Sequence, residues 1–264
     1  MRETAIIDAH NHLAEDYDPD AAAGHLEGLS SLGVKSVMVC ALGHDTRVDN
    51  NAVLDLKNRY PEQIVPFGYV DLDGDEVGAV SELRDRGFSG LKVTRTRRGY
   101  DDDAYMAHYE QAAEARMPVL FHTGFLGLEY AKDARSDDYR PIRLDRIARR
   151  FPELGLICAH MGNPWWEEAF LVMWKHKSVY CDLSGLSAIR RDRDLWVKLF
   201  KPNGELHEAC DKLIFAGDQF LFGSVPYSTE YLDFYGDLFD RLDLGTETRR
   251  NIMYRNFEAL VLKF

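Results

Sequence analysis

The sequence predicts a single α/β domain of the (β/α)8 TIM-barrel class, on three observations. Eight continuous apolar, β-rich runs recur along the 264 residues, at a spacing of roughly 30 residues, as strands buried on both faces do. Each run is followed by a stretch with helical periodicity, which argues for a parallel sheet covered by helices. No Pro/Gly/Ser-rich linker, low-complexity tract or long like-charge block divides the chain, so residues 1–264 read as one domain. Eight such units in about 250 residues match the size of a barrel. A doubly wound open sheet would carry a glycine-rich phosphate turn after its first strand. Here that position reads His10-Asn11-His12.

The elements follow in order. Residues 5–13 form the first apolar strand run, and 20–32 a helix ended by Gly33. Strand 35–42 precedes helix 49–60, which stops at Pro61, and strand 64–71 precedes helix 75–86, ended by Gly87. Glycine and proline close helices because one tolerates a left-handed C-terminal residue and the other cannot continue the ladder. Strand 90–94 is short, and Asp101-Asp102-Asp103 reads as the cap of helix 102–116 rather than an acidic tail. Strand 118–124, helix 142–151, strand 154–162, helix 165–176 and strand 179–184 come next. A helical region 190–210, interrupted at 202–204, leads to the last strand, 212–218. Helices 229–242 and 246–262 close the sequence.

Composition is that of a globular protein, 45% hydrophobic and 29% charged. A net charge of −12 argues against a nucleic-acid binder with a broad basic face. The N-terminus runs directly into the first strand without a signal-like segment, and no apolar stretch is long enough to span a bilayer. The four cysteines, Cys40, Cys158, Cys181 and Cys210, form no CxxC or paired framework, and three sit inside strand runs. A reduced, cytoplasmic protein is the expectation.

Chemistry is sought at the carboxyl ends of the strands, where barrels of this class place their active sites. His10 and His12 are two apart on a strand and so point the same way, offering two imidazoles side by side. The fifth strand ends in His122-Thr123-Gly124, the sixth in His160-Met161-Gly162 and the eighth in Gly217-Asp218. Imidazoles and a carboxylate converging on one mouth match the ligand chemistry of a catalytic zinc-type centre. His122 or His160 alone would read equally well as a satisfied core histidine; the agreement of four strand ends favours a site.

The set Asp8-Ala9-His10-Asn11-His12, His122, His160 and Asp218 resembles the amidohydrolase superfamily. More narrowly it is similar to the amidohydrolase-related (amidohydrolase 2) group that includes aminocarboxymuconate semialdehyde decarboxylase and small lactone hydrolases. Residues 118–124, the run Phe151-Pro152 leading to Ala159-His160-Met161-Gly162-Asn163-Pro164, and Tyr254-Arg255-Asn256-Phe257 carry the same resemblance along the chain. One departure is Ala216-Gly217-Asp218-Gln219, where the group has Gly-Thr-Asp. The resemblance implies a divalent metal, zinc or else manganese, held by His10, His12, His122 and Asp218; the setting of Lys92 favours one ion per chain over two. His160 would orient or deprotonate the attacking water, and Asp218 would accept its proton and deliver it to a leaving group. Lys92, in the fourth strand, stands where binuclear members of the superfamily carry a carboxylated lysine; otherwise its ammonium would pair with Asp218 or a substrate anion.

Substrate recognition falls to residues after the strands. Arg95 and Arg97 (with Arg98) follow strand four, where a guanidinium can clamp a carboxylate, although a solvated loop explains any one of them. His44 and Asp71 face the same mouth, while Trp165, Trp166, Phe125 and Tyr130 are candidate pocket walls and Tyr100, Tyr227 and Tyr231 candidate rim residues. His25, His108, His176 and His207 read as structural or surface groups. The expected activity is metal-dependent hydrolysis of a small carboxylated ester, lactone or amide by a metal-activated water. The rivals are a non-oxidative decarboxylase of the same group and a metal-binding barrel without catalysis. Expected partners are a small-molecule substrate and at most a second copy in a homodimer, with neither nucleic acid nor membrane.

Overall fold

The computed structural model describes residues 5–44, 47–127 and 134–262. Tyr130 lies outside them. The first strand run is split into β1 (Ile6–Asp8) and β2 (Asn11–Leu13). Then come β3 (Val34–Cys40), β4 (Ile64–Tyr69), β5 (Gly90–Val93), β6 (Val119–Phe121), β7 (Leu156–Cys158) and β8 (Val179–Asp182). The last run, expected as strand over 212–218, is strand only at β9 (Leu213–Ile214), and a further strand, β10 (Gln219–Leu221), follows it. All pairings are parallel, in the order β10-β2-β3-β4-β5-β6-β7-β8-β9, with β1 also on β3. The two ends of that order are consecutive strands of the chain, so the sheet returns on itself. Between them Ala9 N–H donates to the Phe215 carbonyl at 3.0 Å and Asp218 N–H to the His10 carbonyl at 2.7 Å. The fold is the expected TIM barrel.

Alternation along the strands sorts the core into two layers. Val37, Val39, Val119 and Phe121 point out to the helices, whereas Met38, Cys40, Phe67, Leu120 and Ile157 fill the barrel interior. Leu91 and Val93 belong to the outer layer, which turns Lys92 inward in register with Leu120 and Tyr69. Phe257 and Leu260 of the terminal helix Asn256–Leu262 plug the interior, Phe257 stacking on Phe67 at 5.8 Å. Gly90 has no side chain because the Phe67 ring occupies the place of its Cβ.

Most helices sit where the periodicity puts them. Asp49 caps helix Asn50–Arg59 through the amides of Asn51 and Ala52. Asp102 caps a short 3-10 turn, Asp103–Tyr105, that runs into helix Met106–Glu114. The region 190–210, expected to be one interrupted helix, resolves into Arg193–Phe200 and two 3-10 turns, and an unexpected short helix, Leu186–Ile189, precedes it. Among the described residues no helix is long and apolar enough to cross a membrane.

Candidate metal centre

The split of the first strand run and the one between β9 and β10 shape the site. At the second split Asp218 adopts φ 54, a left-handed conformation, and its amide is fixed by the His10 carbonyl. This turns its carboxylate toward the first strand. Asp218 Oδ1 lies 3.4 Å from His10 Nε2 and 3.2 Å from His12 Nε2. Two ligand atoms each about 2.0–2.1 Å from a tetrahedral ion stand about 3.3 Å apart, so these three donors have the spacing a small divalent cation needs. His10 and His12 are buried, while the Asp218 side chain is 25% exposed and is the group open to an incoming molecule.

His160 and Met161 are also left-handed, with φ 57 and 46. Non-glycine residues in that region cost about 1–3 kcal/mol each and cluster at functional sites. His160 Nε2 meets His122 Nδ1 at 3.3 Å, and its Nδ1 lies 2.9 Å from Ser184 Oγ and 3.9 Å from Asp218 Oδ2. His122 therefore joins the cluster through His160. Among the described residues, the donor groups close enough to share an ion are His10, His12 and Asp218, and His10, His160 and Asp182.

Lys92 is fully buried, and its Nζ lies 3.0 Å from His10 Nε2. That nitrogen has one lone pair, so the lysine and a cation are alternatives there. Two imidazoles and a carboxylate at this spacing fit a divalent ion, and its entry requires Lys92 to yield the contact. Burial, reinforced by Lys92, lowers His10 to about 4 and keeps it neutral. His122 is pushed well below the usual range by burial, His160 and Lys92. Burial opposes charge on His12 too, but Cys40 and Asp218 raise it to about 9, so a cation must displace a proton there. Burial likewise opposes charge on Asp218, yet the imidazoles of His160, His10 and His12 outweigh it and hold the carboxyl far below the usual carboxylate range.

A cavity of about 400 Å³ opens beside His12, walled by Leu13, Leu42, Val48 and Phe220 and carrying Arg95 and Arg47. Arg95 is left-handed at φ 59 between the buried Thr94 and Thr96. The other recognition candidates lie elsewhere. Arg97 is exposed and engages Asp73 through its backbone amide. His44 pairs with Asp75 at 2.9 Å and packs on Tyr69, in a separate hollow. Trp165 is stacked by Arg140 and approached by Phe125. Asp71 closes its own turn, accepting from Asp73 N–H. Two of the tyrosines expected at the rim brace residues of the first and fifth strand runs instead: Tyr100 donates to the His122 carbonyl at 2.6 Å and Tyr227 to Asp8 Oδ2 at 2.9 Å.

Reasoning from strand ends passed over Asp182 and Ser184, although the run Val179-Tyr180-Cys181-Asp182-Leu183-Ser184 ends in polar residues like the others. Arg47, on the loop after strand two, carried no signal beyond its charge.

A family model described as amidohydrolase matches residues 7–261. No curated protein matches the chain. Among solved structures, an uncharacterised TIM-barrel protein from Bordetella bronchiseptica superposes with a TM-score of 0.75 at 16% identity, covering 98% of this chain and 99% of that one. A probable 2-pyrone-4,6-dicarboxylic acid hydrolase from Acinetobacter baumannii, with citric acid bound, gives 0.65 at 14% identity over 98% and 99%. A dihydroxybenzoic acid decarboxylase from Polaromonas with bound manganese and the inhibitor 2-nitroresorcinol gives 0.62 at 15% over 98% and 97%.

Proposed function

This chain belongs to the amidohydrolase family, and from that premise we propose that it hydrolyses a small carboxylated ester, lactone or amide with the help of one divalent cation, zinc or manganese. The reading is carried by a single observation. Asp218 sets one carboxylate oxygen within 3.4 Å of two imidazole nitrogens while a quarter of its side chain stays open to the mouth. His10, His12 and Asp218 would hold the cation; His122, expected from the sequence as a fourth ligand, meets His160 at 3.3 Å and stands outside that trio. When bound, such an ion supplies Lewis acidity and brings the pKa of water to about 7.

The remaining work falls to side chains. Asp218 takes a proton from the attacking water and returns it to the leaving group. His160, tied to Ser184 Oγ at 2.9 Å, orients that water. Arg95 and Arg47 bind the substrate carboxylate in the apolar cavity beside His12. The probable 2-pyrone-4,6-dicarboxylic acid hydrolase among the structural neighbours supports a carboxylated lactone as the substrate type.

A second reading, non-oxidative decarboxylation, is favoured by the decarboxylase among those neighbours. Reaction of zinc- or manganese-loaded protein with lactones, amides and aromatic acids in ¹⁸O-water separates the two. Solvent oxygen in the product supports hydrolysis, and carbon dioxide release without it supports the lyase.

A further inference from the structure

Asp182 is 1% exposed, and its two carboxylate oxygens have separate tasks. Oδ1 accepts from His160 N–H at 2.7 Å, Ser184 N–H at 3.0 Å and the Ser184 hydroxyl at 2.5 Å. Oδ2 lies 3.2 Å from His10 Nδ1. A carboxylate offers only acceptors, so the hydrogen in that last contact sits on Nδ1. The opposite edge of the ring agrees, because Lys92 Nζ approaches Nε2 at 3.0 Å as a donor. The nearest neighbour on each edge, Asp182 Oδ2 ahead of Ser184 Oγ at 3.3 Å and Lys92 Nζ ahead of Asp218 Oδ1 at 3.4 Å, calls for a ring with its proton on Nδ1 and its lone pair on Nε2.

We propose that Asp182 is a positioning residue that fixes His10 in the Nδ1–H tautomer and so aims the Nε2 lone pair at the space shared with His12 and Asp218. The same carboxylate anchors the left-handed backbone of His160, so one buried group sets imidazoles from two strand ends. The consequence for metal affinity rests on the metal reading above. The tautomer is a property of the metal-free chain and stands apart from it. A ligand histidine whose outer nitrogen is held in this way loses roughly 10–100-fold in metal affinity when the holder is changed.

Asp182→Asn tests this with no change of shape. The amides of His160 and Ser184 require an acceptor at Oδ1, so the Asn oxygen stays there and its NH2 faces His10 Nδ1. Ser184 Oγ, the other oxygen near Nδ1 at 3.3 Å, is taken up by residue 182 and by His160 Nδ1 at 2.9 Å, so Nδ1 accepts from the NH2 and the proton moves to Nε2. In metal-free protein labelled with ¹⁵N-histidine, two-bond ¹⁵N–¹H spectra should show Nδ1–H for His10 in the wild type and Nε2–H in D182N. The signals are assigned by their loss in His10→Gln. Zinc affinity, measured against a chromophoric chelator, should fall roughly 10–100-fold in D182N. An Nε2–H tautomer in the wild type overturns the proposal, and so does a folded D182N that keeps Nδ1–H. Should D182N not fold, the wild-type spectrum still decides. A wild-type chain that takes up no zinc yet shows the expected tautomers upholds the role of Asp182 and removes the metal reading.

Discussion

Asp8 and Asp218 show opposite fates for a carboxyl group a few residues from the same centre. Asp8 is fully buried, with Gly217 N–H on one oxygen and the Tyr227 hydroxyl on the other, and burial pushes it up to about 7. From about pH 4 to about pH 7 the native chain therefore holds a proton that the unfolded chain has released. The contribution of Asp8 to stability falls as pH rises through that window, by on the order of 4 kcal/mol for a shift of about three units, against the opposite slope from His10 and His122, which the fold holds below their usual range. The difference in stability between wild type and Asp8→Asn should carry this slope alone in urea-unfolding curves taken between pH 4 and 8, since the histidine contributions are common to both and the Tyr227 hydroxyl can turn to accept from the amide. Asp218→Asn should keep the fold, because asparagine tolerates the left-handed backbone that residue 218 adopts. Turnover should drop by roughly 10²–10⁴-fold, the usual contribution of a positioned general base; near-normal kcat would remove the aspartate from the chemistry. The histidines and Asp218 were legible in the sequence because each directly ends an apolar run. The link from Lys92 to His10 was not, because it depends on barrel registers rather than on spacing along the chain.

At the scale of elements, the strand runs were readable because strands buried on both faces are continuously apolar. Their interruptions were not. The split at Ala9–His10 and the one at residues 215–218 follow from hydrogen bonds between the first and last strands, a long-range pairing that no local pattern encodes. Asp182 was overlooked for a different reason: it ends its strand as plainly as His160 does, but without an imidazole to draw notice. The turn after β7 is equally constrained. Gly162 adopts φ 63 with the Pro141 ring where a Cβ would go, so Gly162→Ala combines backbone strain with a steric clash. It should cost more than about 2 kcal/mol in denaturant unfolding and should displace His160; a loss under about 0.5 kcal/mol would show that the turn relaxes freely.

Across the whole molecule, barrel closure brings residues 182 and 218 onto His10 and ties Asp8 to Gly217. The cavity that carries Arg47 and Arg95 opens from the same end. Arg95→Ala should raise KM for a carboxylated substrate by 10-fold or more, in line with the loss of a charge-assisted hydrogen bond of about 1.5–3 kcal/mol, and leave kcat within a few-fold. An unchanged KM would take the cavity out of substrate binding. Whether His10, His12 and Asp218 share a cation is tested most directly by an anomalous difference map from crystals grown with zinc or manganese. One peak per chain is expected, about 2.0–2.2 Å from His10 Nε2, His12 Nε2 and an Asp218 oxygen, with Lys92 drawn away from His10. A chain that takes up no ion at any loading, with Lys92 still against His10 Nε2, contradicts it.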